Sequence, residues 1–212
     1  MEAIIVALGL TVLAVILLLC FLSHENYLHG LFKLLASTGF IALCIASGGV
    51  RSTYGQVILA GLVFSWWGDL FLISRSSTIF MLGLISFFLA HVAYCGAFVV
   101  YGVSAPSAVV AMLLLLLPGV FIMRWLHPHL GSMRVPVYAY VTVITVMTAL
   151  AVSAATSRGG VLLPIGAILF YSSDIFVARD RFVAPGRSNA YIGLPLYYGG
   201  QVLLAMTPLY TQ

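Results

Sequence analysis

Long apolar runs broken by short polar punctuation are the dominant pattern along the chain. The runs fall at residues 3–22, 31–48, 54–73, 79–100, 106–123, 134–154, 161–179 and 189–209. Each approaches the ~20 residues that cross a hydrocarbon core of roughly 30 Å as an α-helix. Between them stand SHENYLHG, GGVRST, SRSST, YGVSA, RWLHPHLGSM, ATSRGG and RDRFVAPGRS, all short and polar or rich in Gly and Pro. Loops this short predict an up-and-down arrangement: an all-α integral membrane bundle of eight transmembrane helices. Residues 1–212 then form a single transmembrane helical domain, with no room for a soluble one. A closed β-barrel needs apolar–polar alternation, which runs such as VVAMLLLLL lack.

Composition strengthens this reading. Hydrophobic residues make up 63% of the chain and charged residues 7%, and the mean hydropathy is +1.16; a soluble domain carries about 25% charged residues. The first run is expected to stay as a helix and not to be cleaved as a signal, because Glu2 stands where a basic start is usual and the run is long.

Charge gives an orientation. Loops and helix ends after runs 1, 3, 5 and 7 hold Lys33, Arg75, Arg124, Arg134, Arg179, Arg181 and Arg187, whereas the other side holds Arg51 and Arg158. The excess marks the cytoplasmic face. It predicts both termini on the outer side of a bacterial-type inner (plasma) membrane. The net charge of +4 follows from the same asymmetry and points to anionic lipid headgroups, not nucleic acid. Cys20, Cys44 and Cys95 lie within runs without paired spacing, as buried free thiols do.

Against this background two carboxylates stand out: Asp69 in FSWWGDLFL and Asp174 in FYSSDIFVA. A charge at a helix centre costs about 2.5–3.5 kcal/mol or more on insertion scales, so ionisable residues there are expected to function. Both aspartates fall about one turn inside the predicted cytoplasmic ends of their helices, which allows one shared cavity. The two segments match approximately, and with weaker matches downstream they predict a 4+4 parallel internal repeat whose equivalent positions lie at equal depth. The alternative for each aspartate is an ion pair, Asp69 with Arg75 and Asp174 with Arg179 or Arg181.

Other polar residues gather on the same helices. His91, the one histidine placed inside a run, and Tyr94 share a helix face. Ser172 and Ser173 precede Asp174, and Asn189, Tyr191, Tyr197, Tyr198 and Gln201 punctuate the last run. Lys33 reads either as a snorkelling lysine or as a clamp for a substrate phosphate, helped by Arg75, Arg179 or Arg181. The HPH of residues 127–129 is weak as a metal motif, and HExxH, G-x-S-x-G and P-loop patterns are absent. Chemistry here is expected to be carboxylate chemistry, with no metal and no cofactor.

These residues carry a resemblance. FSWWGDLFL followed by LGLISFFLAHVAY, then GAILFYSSDIFVARDRF and the Tyr- and Gly-rich last run, resemble the YhhN-like lysoplasmalogenase family of eight-span membrane proteins. LFKLLASTGFIAL is similar to that family's lysine-bearing second helix, with Leu34 where a proline is usual. The resemblance covers most of the chain. It implies hydrolysis of the vinyl ether bond of lysoplasmalogens to a fatty aldehyde and a glycerophospho-ethanolamine or -choline, with a lysophospholipid as substrate. Asp69 and Asp174 would form the catalytic acid/base pair, in no assigned order. Lys33, Arg75, Arg179 and Arg181 would hold the phosphate. His91, Tyr94, Ser173, Tyr191, Tyr197 and Gln201 would line the site or orient the carboxylates and water. The competing expectations are a small proton-coupled transporter and a lipid-binding protein without turnover.

Overall fold

A computed structural model describes residues 1–22, 27–74 and 76–211. The apolar runs become eight α-helices: α1 (Glu2–Cys20), α2 (Tyr27–Ala46), α3 (Thr53–Phe71), α4 (Ser77–Tyr101), α5 (Ala105–Leu126), α6 (Arg134–Arg158), α7 (Leu162–Ala178) and α8 (Arg187–Met206). No strand occurs among the described residues. Boundaries follow local chemistry. Ser52 caps α3 by accepting a hydrogen bond from Gly55 N at 3.1 Å. α6 stops at Gly159, whose φ of 82° is open to glycine and costly for most other residues. α2 begins at Tyr27, earlier than the hydropathy suggests, and so brings a second histidine, His29, into a helix.

Six of the eight helices are long and apolar enough to cross a membrane, and the protein is a multi-pass integral membrane protein. α3 and α8 fall below that measure. They carry Ser65, Asp69, Asn189, Tyr197, Tyr198 and Gln201, all buried, so their polarity is turned inward. Outward surfaces are the reverse: Leu114, Leu117 and Phe121 of α5 and Ile5, Leu10 and Leu13 of α1 are exposed, as lipid-facing side chains are.

Sequential helices pack as hairpins, α1 with α2, α3 with α4, α5 with α6 and α7 with α8. Across hairpins α2 meets α3 and α8, and α6 meets α7 and α4. α8 also touches α1 and α3. Small residues allow close approach. A Cβ on Gly200 would lie 2.8 Å from Gly166 O, so α7 and α8 touch backbone to backbone.

Candidate active site

The site begins with the last turn of α3. A Cβ on Gly68 would come within 2.5 Å of the Phe87 ring, so glycine is what lets α4 lie against α3 here. The next residue, Asp69, is 2% exposed. Its Oδ2 accepts hydrogen bonds from Ser37 Oγ and Tyr197 OH, both at 2.6 Å. Lys33 Nζ lies 3.4 Å from Oδ1. Lys33 and Ser37 are one turn apart on α2 and therefore share a face. Tyr198 OH donates to Lys33 O at 3.0 Å; Ser37 Oγ also lies 2.9 Å from that carbonyl oxygen, and its single proton has the shorter contact, and an anionic acceptor, in the carboxylate. The cation beside Asp69 is thus a lysine; Arg75, the partner considered from sequence, lies outside the described residues.

Asp174 sits one turn before the end of α7. Its Oδ2 accepts a hydrogen bond from Tyr140 OH of α6 at 2.8 Å, and His91 Nε2 of α4 lies 3.9 Å from the same oxygen. His91 is fully buried, with Nδ1 2.6 Å from Phe87 O. A carbonyl only accepts, so Nδ1 carries a proton. Neither Arg179 nor Arg181 pairs with Asp174: Arg179 Nη1 donates to Asn189 Oδ1 at 2.6 Å, and the Arg181 guanidinium lies over the Phe80 ring at 4.3 Å.

Both carboxylates line one cavity of about 370 Å³. Its wall comes from the C-terminal parts of α3, α5 and α7 and the N-terminal parts of α2, α4, α6 and α8. In an up-and-down bundle these parts lie at one end. Leu84, Ile122, Val137 and Ile144 make much of the wall apolar, while His29, Ser74, Asp180 and Arg181 stand where helices end and the cavity opens. A five-residue π turn, Arg179–Val183, follows α7 and brings Asp180, Arg181 and Phe182 onto the rim. Asn189 fixes this turn, donating to Asp180 Oδ1 and Ala184 O at 2.9 Å each.

The residues singled out from sequence separate into three groups. Lys33, Asp69, Ser173, Asp174, Arg181 and Tyr197 line the cavity. His91, Tyr94 and Gln201 are buried behind it: Tyr94 OH donates to Gln201 Oε1 at 2.8 Å, and Gln201 Nε2 to Ser65 Oγ at 2.9 Å, joining α4, α8 and α3. Tyr191 is 47% exposed and, like Arg179, off the cavity wall. Sequence reasoning missed Ser37 and Tyr140, the hydroxyls that hold the two carboxylates. Among the described residues no group of three or more His, Cys, Asp or Glu is placed to hold a metal ion.

Both carboxylates and every hydrogen-bond donor to them among the described residues lie inside the stretch 28–207, which matches the sequence model of the YhhN family. The chain belongs to the YhhN family. Similar curated proteins in animals include Lysoplasmalogenase TMEM86A of Bos taurus, 32% identical over 71% of this chain and 64% of its own length, and Lysoplasmalogenase TMEM86B of Homo sapiens, 30% identical over 82% and 71%. The Lysoplasmalogenase of Mycobacterium bovis is 26% identical over 74% of this chain and 62% of that protein. The chain thus spans somewhat under two thirds of the bovine and mycobacterial relatives. No solved structure gives a significant match. For this YhhN-family chain, then, the cavity and its two carboxylates are the geometric ground for a functional reading.

Proposed function

We propose that this chain is a membrane-embedded hydrolase that cleaves the vinyl ether bond of lysoplasmalogens, releasing a fatty aldehyde and a glycerophospho-ethanolamine or -choline. The observation that carries the reading is the pair Asp69 and Asp174, brought from α3 and α7 onto the wall of one cavity; relatives that bear the name lysoplasmalogenase support it.

The chemistry requires two groups. A carboxylic acid transfers its proton to the β-carbon of the vinyl ether, the C=C π pair forming the new C–H bond and leaving an oxocarbenium ion. A carboxylate takes a proton from water as its oxygen bonds to the cationic carbon, giving a hemiacetal. Collapse of the hemiacetal passes its hydroxyl proton to the first carboxyl group, now a carboxylate, as the C–O bond to glycerol breaks and the departing oxygen takes the proton held by the second; the aldehyde forms, both groups are reset and one water is consumed. Two carboxyl groups in different surroundings divide such labour, and an anionic carboxylate beside the cation lowers its energy in a water-poor site.

An apolar wall with charged residues among the lining suits a single-chain lipid. Its tail would lie along the apolar wall and its phosphate at the rim near Arg181. Lys33 is set deeper, against Asp69, where it fixes that carboxylate's charge. All lining residues lie at one end of the bundle, which supports turnover at one membrane face. Seven of the nine basic residues lie on that side by sequence, so we place the mouth at the cytoplasmic face, with both termini outside. The two halves of the chain, as a 4+4 repeat, would each supply one carboxylate at equal depth.

The test is aldehyde release from lysoplasmenyl-ethanolamine by detergent-purified protein. Wild type should release it, and D69N and D174N should each lose it while eluting as folded protein. Near-normal turnover in both variants would end the proposal.

A further inference from the structure

We infer that the two carboxylates are not interchangeable: Asp174 is the proton donor, Asp69 is the base and cation stabiliser, and His91 is a positioning residue that keeps Asp174 in its donor form. The assignment rests on the hydrolase reading for its chemistry, and on the geometry of the two carboxylate surroundings for its direction.

Asp69 is surrounded as an anion is. Two hydroxyl protons converge on Oδ2 at 2.6 Å, and an ammonium stands 3.4 Å from Oδ1. Hydrogen bonds to a charged acceptor are shorter and stronger than neutral ones, and these are short. A proton on Asp69 would have to compete with three donors already aimed at its two oxygens. The group is built to hold negative charge, to accept a proton from water and to face a developing cation.

Asp174 is surrounded differently. One hydroxyl, that of Tyr140, donates to Oδ2. Oδ1 takes no hydrogen bond from the described residues, although the side chain is 19% exposed on the cavity wall. The nearest ring nitrogen is His91 Nε2, and it has no hydrogen-bond partner among the described residues. An imidazolium facing a carboxylate closes to about 2.7–2.9 Å; here the gap is 3.9 Å. Nδ1 already carries the ring's proton toward Phe87 O, so in a neutral ring the Nε2 that lies 3.9 Å from Asp174 Oδ2 has a lone pair and no proton. A lone pair opposes an anion and tolerates a neutral acid. Oδ2, accepting from Tyr140, takes the part of the carbonyl oxygen, and Oδ1 carries the acidic hydrogen on the cavity side. The ring is held in this attitude by Phe170, whose centroid is 4.5 Å away, and by Tyr140 at 5.1 Å.

Infrared spectroscopy of the resting protein at neutral pH tests the assignment without reference to turnover. The C=O stretch of a protonated carboxyl group is expected in wild type, retained in D69N and lost in D174N. Loss in D69N with retention in D174N, or no such band in wild type, overturns the assignment even if aldehyde release is confirmed. Should D174N fail to fold, the D69N spectrum alone decides. For His91, H91Q places an amide near Oδ2 that can turn its N–H toward the carboxyl group. The band should weaken, and kcat should fall about tenfold with KM unchanged. An unaltered band in H91Q removes His91 from the proposal, as does a change in KM alone.

Discussion

The ammonium of Lys33 lies 3.4 Å from Asp69 Oδ1, with the two side chains only 9% and 2% exposed. Removing one partner of a buried pair leaves the other uncompensated, at a cost of about 3–5 kcal/mol in soluble proteins. Lys33→Met should therefore lower the unfolding temperature and abolish aldehyde release. Lys33→Met/Asp69→Asn should regain most of the stability and none of the activity, read by thermal unfolding in detergent beside the aldehyde assay. A double variant no more stable than K33M would show that the pair does not act as a unit.

Ser37→Ala and Tyr197→Phe each withdraw one hydroxyl from Asp69 Oδ2. Each should cost about 1–3 kcal/mol, appearing as a drop in kcat with little change in KM. The measurement is steady-state kinetics against lysoplasmenyl-ethanolamine in mixed micelles. Full kcat in both variants would leave Asp69 without the anchoring ascribed to it.

At the rim, Arg181→Ala removes a guanidinium held over Phe80 at 4.3 Å. If it meets the phosphate, KM rises about tenfold or more, the scale of a charged hydrogen bond, and kcat stays near wild type. An unchanged KM would move phosphate recognition away from Arg181.

Gly68→Ala sets a methyl group 2.5 Å from the Phe87 ring. Overpacking of this kind costs about 1–3 kcal/mol. The displaced segment also carries the carbonyl that holds His91. Lower thermal stability together with lower kcat is the expected result, whereas lower stability with full kcat would separate Gly68 from the site.

Tyr191→Ala is the contrasting case. With Tyr191 47% exposed and off the cavity wall, kcat/KM should remain within about twofold, as surface changes usually do. A larger loss would bring that side chain back to the site.

The fold and the two carboxylates were legible for one reason: a charge inside an apolar run is costly enough to stand out from any single sequence. Asp69 and Asp174 announce themselves in this way, and counting residues places each within about a turn of its helix's C-terminal end, two residues short in α3 and four in α7. Hydroxyls do not. Ser37 and Tyr140 cost little in a helix that satisfies its own backbone, so nothing in the sequence separates them from Ser86 or Tyr138. Tyr191 and Tyr197 show the remaining gap. Six residues at about 100° each turn them roughly 120° apart on α8, and which one faces inward is decided by how α8 packs on α7, where Gly166 and Gly200 meet. α3 and α8 read as less apolar than their neighbours because their polar residues turn inward: Tyr197 meets Asp69 and Gln201 meets Ser65 across the pair, while Tyr198 bonds α2 and Asn189 the turn after α7.

The cavity opens at helix ends and is walled by aliphatic side chains farther in. Under the hydrolase reading its two products have opposite solubilities: the glycerophosphodiester would partition into water and the aldehyde into the bilayer. Relief from inhibition by aldehyde would then depend on how much lipid surrounds the protein, and turnover should slow in small nanodiscs well before it slows in large vesicles.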